Sequence, residues 1–205
     1  MEGKHSLAAK LLVVSGKLSG LNEGFSLYSA PTGEKVNSKT LAAYLLAATI
    51  EDLKNRGIIE YKEDEIKVLG GKLPVLILKR KKNEGVGFEK TILEKLDEEK
   101  NLIDLVKDLI GGMYQIPEYQ LLWLIRSEFP QDEYMCQETV KTLFIFSRKE
   151  TRWIPEKVNP LVEKWLPELK PVWEKVLNLP WLKTAVRDCS LGLAKTRAQS
   201  KDDDD

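Results

Sequence analysis

A mainly α protein with a small β element is what this sequence predicts, and three observations predict it. The segment Leu41–Asn55 places Leu41, Leu45, Leu46, Thr49, Ile50 and Leu53 at steps of three and four, one broad buried stripe of a helix. Asn55, Arg56 and Gly57 stop that helix, with Gly57 as the left-handed residue after its end, and β-prone runs follow. The second half is punctuated by proline and rich in leucine and tryptophan, which reads as helical. Helix, Asn-Arg-Gly, strand, charged turn and strand make the back half of a winged helix. The predicted architecture is a winged-helix-like core followed by a helical C-terminal portion.

Taken in order, Ser6–Val14 reads as a short helix with Ser6 as its N-cap. Ser15–Ser38 is rich in Gly, Ser, Asn and Pro and reads as a long loop with a short strand at Phe25–Tyr28. After the Leu41–Asn55 helix, Ile58, Ile59 and Tyr61 start a strand, Lys62–Glu65 turns the chain, and Ile66, Val68 and Leu69 return. Gly70-Gly71 is a turn, and Leu73–Leu78 (LPVLIL) is a strand ending in Lys79-Arg80-Lys81-Lys82. Phe88–Leu96 and Leu102–Ile110 are two helices joined by the charged DEEKN linker. Pro117–Phe129 is a helix opened by its proline, with Leu121, Leu122, Leu124 and Ile125 inward, and Leu143–Phe146 (LFIF) is a strand. From Trp153 on, Pro155, Pro160, Pro167, Pro171 and Pro180 are expected to cut the chain into short helical pieces. The portions are 1–112, winged-helix-like; 113–198, helical and Trp/Pro-rich; and 199–205, an acidic tail, together one compact domain.

Composition bounds the function. With 205 residues, 42% hydrophobic and 31% charged, the chain is globular and long enough to bury a core. Lys+Arg 32 against Asp+Glu 32 leaves no net charge, so no whole-protein field draws in nucleic acid, and a polyanion must meet a local patch. No apolar run reaches the length of a membrane span, and the first residues are too short and weakly apolar for a signal peptide. Cys136 and Cys189 are far apart without metal-ligand spacing, as reduced thiols of a cytosolic protein would be.

Chemistry-bearing patterns are few. His5 is the one histidine and sits in an N-terminus expected to fray, which disfavours His-dependent nucleophiles and His-based metal sites. Gly85-Val86-Gly87 is half of a dinucleotide fingerprint and reads as a plain loop. The carboxylates Glu51/Asp52, Asp97/Glu98/Glu99 and Asp104/Asp108 read as solvated surface rather than acid–base pairs. No catalytic residue, cofactor or metal is predicted. Two features are suited to binding. Lys79, Arg80, Lys81 and Lys82 can grip phosphate of nucleic acid or of an anionic lipid surface, or simply guard a sheet edge. Trp153, Trp165, Trp173 and Trp181, interleaved with lysines, have the composition of a membrane-interface segment, and core packing explains them more cheaply.

The order of these elements resembles a known family. Ala47–Ile59 (AATIEDLKNRGII) is similar to the helix–turn–strand unit "ELALRGRI" of the Golgi phosphoprotein family. Gly85 and Gly87 precede helices where that family has its "TGD-LLDEAL" helix and the next one, and Thr151–Pro155 (TRWIP) is similar to its late "RYPV" segment. The likeness spans residues 6–177 at the level of pattern. It implies a mainly helical, non-catalytic peripheral membrane adaptor that binds phosphatidylinositol 4-phosphate and the tails of membrane enzymes. In that family the lipid pocket uses a loop Trp, an Arg at the start of the central helix and two Arg of a later helix. Here Tyr28 is the loop aromatic, Leu46 stands in register with the helical Arg, and Arg126 is the basic residue of the later helix.

The expectation is therefore a cytoplasmic adaptor, peripheral at a membrane, whose partners are an anionic lipid head group or a protein. Its binding residues are Tyr28, Lys79, Arg80, Lys81, Lys82, Arg126 and Trp153. The alternative is a winged-helix nucleic-acid-binding regulator with Leu41–Asn55 as recognition helix. Against it, that helix carries Glu51 and Asp52 beside Lys39, Lys54 and Arg56.

Overall fold

The computed structural model of the chain describes residues 5–21, 27–66, 71–79, 85–96, 98–110, 117–142 and 146–186. Its core is built around two helices, α1 (Leu7–Val14) and α2 (Ser38–Asn55), both enclosed on nearly every side. Ser6 caps α1 by accepting from the Ala9 N–H. Helix α2 starts three residues before the apolar stripe, because the Asn37 side chain caps it, accepting from the Thr40 N–H at 2.9 Å. The six stripe residues are all buried, and the alanines between them close the opposite side. At its end Gly57 has φ +68°, the Ile58 N–H returns to the Leu53 carbonyl and the Gly57 N–H to Lys54. That double closure is a Schellman motif, and only a residue free to take positive φ makes it without strain.

The loop after α1 holds a two-stranded antiparallel ribbon, β1 (Leu27–Ser29) with β2 (Lys35–Asn37). The expected strand over Phe25–Tyr28 begins at Leu27 among the described residues, and Phe25 lies outside them. Strand β3 (Ile59–Ile66) pairs antiparallel with β4 (Gly71–Leu78), from Ile59↔Leu78 to Ile66↔Gly71. The turn expected at Lys62–Glu65 is therefore strand instead. A charge-rich segment stays extended where β4, with its apolar run Leu73–Leu78, supplies its backbone ladder, so pairing overrides composition. Val68, Leu69 and Gly70 lie outside the described residues. The linker between α3 (Phe88–Lys95) and α4 (Leu102–Ile110) is likewise more than a linker. Its end, Glu99–Asn101, is β5, the third strand beside β4.

Helix α5 (Pro117–Arg126) ends earlier than Phe129, and α6 (Gln131–Tyr134) is one short turn. A hairpin follows, β6 (Met135–Thr142) with β7 (Phe146–Trp153), which extends strand well beyond the expected Leu143–Phe146. Leu143, Phe144 and Ile145 lie outside the described residues.

Helix α7 (Pro155–Leu177) is one continuous helix of 23 residues, not the series of short pieces its prolines suggested. Pro155 sits at its N-terminus, where no N–H is needed, and Pro180 lies beyond its end. Pro160, Pro167 and Pro171 are interior but exposed, so each carbonyl they leave unpaired faces water. The opposite stripe, Val158, Val162, Trp165, Leu169, Trp173 and Val176, is buried and holds the helix to α1 and α2. One hydrophobic core runs from Ala8 to Ala185 and draws on both halves of the chain.

The four tryptophans from Trp153 on all belong to this core. Trp173 donates its Nε1–H to the Ser19 carbonyl at 3.0 Å, and Trp181 reaches the Tyr61 hydroxyl at 3.4 Å. A membrane hook made of these four is excluded by their burial. His5 is not frayed: its ring stacks on Phe129 at 4.5 Å and meets Trp165 edge-on. Gly87, at φ +52°, also has a structural reason. A side chain there would run into the Glu128 carboxylate, which accepts from the Ser6 N–H and Oγ–H (2.8 and 2.6 Å) and from the Phe88 N–H (2.8 Å).

Candidate functional site

Three of the residues expected to bind, Tyr28, Arg126 and Trp153, line one cavity of about 950 Å³. They arrive from separate elements. Tyr28 is the middle residue of β1, Arg126 the last residue of α5, and Trp153 the last residue of β7. The β1–β2 connection forms one wall, the base of the β6–β7 hairpin another, and the first turn of α7 closes the end with Ile154, Pro155, Glu156 and Asn159.

Arg126 is the electrostatic centre. Its Nη2 and Nε lie 2.8 and 3.1 Å from the Met135 Sδ, and its guanidinium carbon stands 5.4 Å from the Trp153 ring centroid. A thioether is a weak acceptor and an aromatic face a partial one, so neither neutralises the charge. Among the described residues no carboxylate pairs with Arg126. Arg152, by contrast, is held by Glu138 at 2.8 Å and Glu150 at 3.3 Å. The register Met135↔Trp153 brings the thioether and the indole side by side under Arg126. A chain reading of α5 alone does not reveal that.

The polar groups facing inward are under-bonded. The Tyr28 hydroxyl and the Trp153 Nε1 are out of contact with solvent, and neither has a well-formed hydrogen bond among the described residues. The indole N–H faces the phenol oxygen closely enough to favour its anion, as does Arg126, but burial outweighs both and pushes the Tyr28 phenol up. Tyr28 is consequently a neutral O–H donor at neutral pH. Trp153 is only 9% exposed, and its indole N–H is turned to the phenol oxygen rather than to the open cavity.

The end wall adds a fourth contribution. Helix α7 has no side-chain cap at Ile154, so the positive end of a long helix dipole meets the cavity, moderated by Glu156 in its first turn. Counting Lys35, Arg126 and Arg152 against Glu138 and Glu156, the lining carries one more positive than negative charge. The arrangement suits a compact anion, drawn by the Arg126 guanidinium and by the uncapped start of α7.

The remaining expected residues lie elsewhere. Lys79 does not line the cavity; it is exposed at the end of β4 and pairs with Glu60 at 3.0 Å across the sheet. Arg80, Lys81 and Lys82 fall outside the described residues. Leu46 is buried in α2, away from the cavity. Of the carboxylates, Glu51 accepts from the Tyr61 hydroxyl at 2.5 Å, Asp52 pairs with Arg56, and Asp104 with Lys107. Among the described residues no group of His, Cys, Asp and Glu is placed to hold a metal ion. Likewise, no described helix is long and apolar enough to cross a membrane. Lys35, Arg152 and Cys136, which are not among the expected binding residues, also line the cavity, and only the hairpin register places the last two there.

Compared with models of known protein families and with curated proteins, the chain matches none.

Proposed function

We propose that this protein is a non-catalytic peripheral membrane adaptor whose Tyr28–Arg126–Trp153 cavity takes the phosphate-bearing head group of an anionic lipid. The observation that carries the reading is the convergence of those three residues, from β1, α5 and β7, around an arginine with no carboxylate partner among the described residues. The Golgi phosphoprotein resemblance supplies the same ligand class, although Tyr28 replaces a tryptophan and Leu46 an arginine of that family's pocket. On this reading α2, its Gly57 stop and the β3–β4 hairpin are a winged-helix unit serving as scaffold. The nucleic-acid alternative is disfavoured because α2 is buried along most of its length and fully exposes only Lys39, Lys54 and Asn55, with Glu51 and Asp52 beside Lys54.

The test is titration calorimetry with inositol 1,4-bisphosphate, the soluble counterpart of the head group, and with sulfate as a control. Wild type is expected to bind the bisphosphate more tightly than sulfate, and Arg126→Gln to lose at least about tenfold in affinity, roughly 1.4 kcal/mol. Absence of binding, or binding indifferent to Arg126→Gln, refutes the proposal.

A further inference from the structure

Trp123 is the one tryptophan of the described residues that packing does not explain. It is 54% exposed on α5, whereas the other four are buried. Tyr119, one turn earlier, is 38% exposed and donates its hydroxyl to the Leu27 carbonyl at 3.4 Å, and Leu27 is itself 50% exposed. Tyr119, Trp123 and Arg126 fall within about 60° of arc on a helix of 3.6 residues per turn, with the buried Leu121 and Ile125 on the far side. Two members of the apolar group, Leu27 and Tyr119, also line the head-group cavity. Exposed apolar residues scattered singly need no explanation, but three gathered at the rim of a charged cavity do.

We propose that Leu27, Tyr119 and Trp123 form the face that seats the protein on a bilayer, with the two rings at head-group level and the cavity opening towards the lipid phosphates. This rests on the head-group reading of the cavity. Charge argues for an anionic bilayer as occupant rather than another protein. The stripe that carries the two rings ends in Arg126, and Lys35 stands on the same lining. Trp and Tyr are the side chains that prefer the membrane–water interface, because each joins a flat apolar body to a polar tip. Insertion is therefore the apolar half of binding and the cavity its polar half. The two are separable by substitution.

The experiment uses full-length protein with vesicles of brominated phosphatidylcholine, with and without phosphatidylinositol 4-phosphate. Tryptophan emission and sedimentation are read together, and far-UV circular dichroism verifies the fold of each variant. Expected are bromine quenching of wild-type emission on the anionic vesicles and loss of that quenching in Trp123→Ala. Vesicle affinity should fall about tenfold in that variant without recovery at low salt, since an apolar contact is not screened. Trp123→Ala should bind soluble inositol 1,4-bisphosphate as wild type does, whereas Arg126→Gln loses it; this separates failure of the face from failure of the cavity. Unquenched emission, or Trp123→Ala binding vesicles like wild type, overturns the proposal. So does a dimer in sedimentation that Trp123→Ala dissolves, since a second copy then covers the face.

Discussion

Replacing Glu128 by alanine removes the acceptor that ties together the starts of α1 and α3. Its two carboxylate oxygens take the Ser6 N–H, the Ser6 Oγ–H and the Phe88 N–H, all at 2.6–2.8 Å. A hydrogen bond to a charged acceptor contributes about 1.5–3 kcal/mol net, and its loss strands partly buried donors. Against this stands the desolvation of the carboxylate, which is relieved in the variant, and Ser6 Oγ keeps its bond from the Ala9 N–H. The net expectation is a loss of about 2–4 kcal/mol for Glu128→Ala and about 1–2 kcal/mol for Glu128→Gln, which retains one acceptor. Urea unfolding followed by circular dichroism measures it, with an unchanged slope showing that the unfolded state is not altered. A pH series sharpens the result. Burial, with the neighbouring Glu89 charge, holds the Glu128 carboxyl above its ordinary value despite the three donors. The native state then binds the proton more tightly than the unfolded chain, so unfolding releases it and stability falls as the pH rises. Its contribution is complete below the unfolded carboxylate value of about 4.3 and is lost as pH climbs through the raised folded value. The stability advantage of wild type over Glu128→Gln should accordingly be larger near about pH 4 than at about pH 7. An alanine variant within about 0.5 kcal/mol of wild type, or an advantage that grows with pH, refutes the reasoning.

Leu53→Ala, at a fully buried position of α2, should cost about 2–5 kcal/mol in the same urea assay. Its neighbour Lys54, exposed over the Tyr61 ring at 4.0 Å, should cost under about 1 kcal/mol as alanine. Pro167→Ala should stabilise the protein by about 1–3 kcal/mol, because it restores an N–H on the exposed side of α7 and removes a ring from a helix interior. The greater freedom of the unfolded chain takes back up to about 1 kcal/mol. Destabilisation by Pro167→Ala in a thermal melt would show that the ring makes a contact the helix needs.

What the sequence discloses and what it hides follow the range of the forces involved. Helices α1, α2 and α4 are legible because each is a periodic stripe with a local cap or stop: Ser6, Gly57, and Asn101, which accepts from the Asp104 N–H. The charged half of β3 is not, since its extended state depends on a partner strand across a turn. Helix α7 misleads in the other direction, because local rules price each proline as a break while six buried side chains spread along the helix outweigh them. At the cavity, Tyr28 and Arg126 are reached through likeness to a family and Trp153 through its place in a run rich in Trp and Lys; their meeting depends on a hairpin register and the end of a helix. Trp123 stays hidden for a simpler reason. Residues 121–125 are apolar without a gap, so no periodic contrast says which of the five faces out.

Three interior prolines leave α7 with little helicity of its own, so an excised peptide of this composition would be largely unstructured. Its helical form is imposed by docking, chiefly of Trp165 and Trp173, and docking and winding are a single cooperative event. An opening fluctuation that frees α7 strips cover from α1 and α2 at the same moment and dismantles the end wall at Ile154–Glu156. A form with α7 freed keeps no end wall. A molecule held against that wall is thus linked to the folding equilibrium of the entire chain, and it slows amide exchange in helices it never touches.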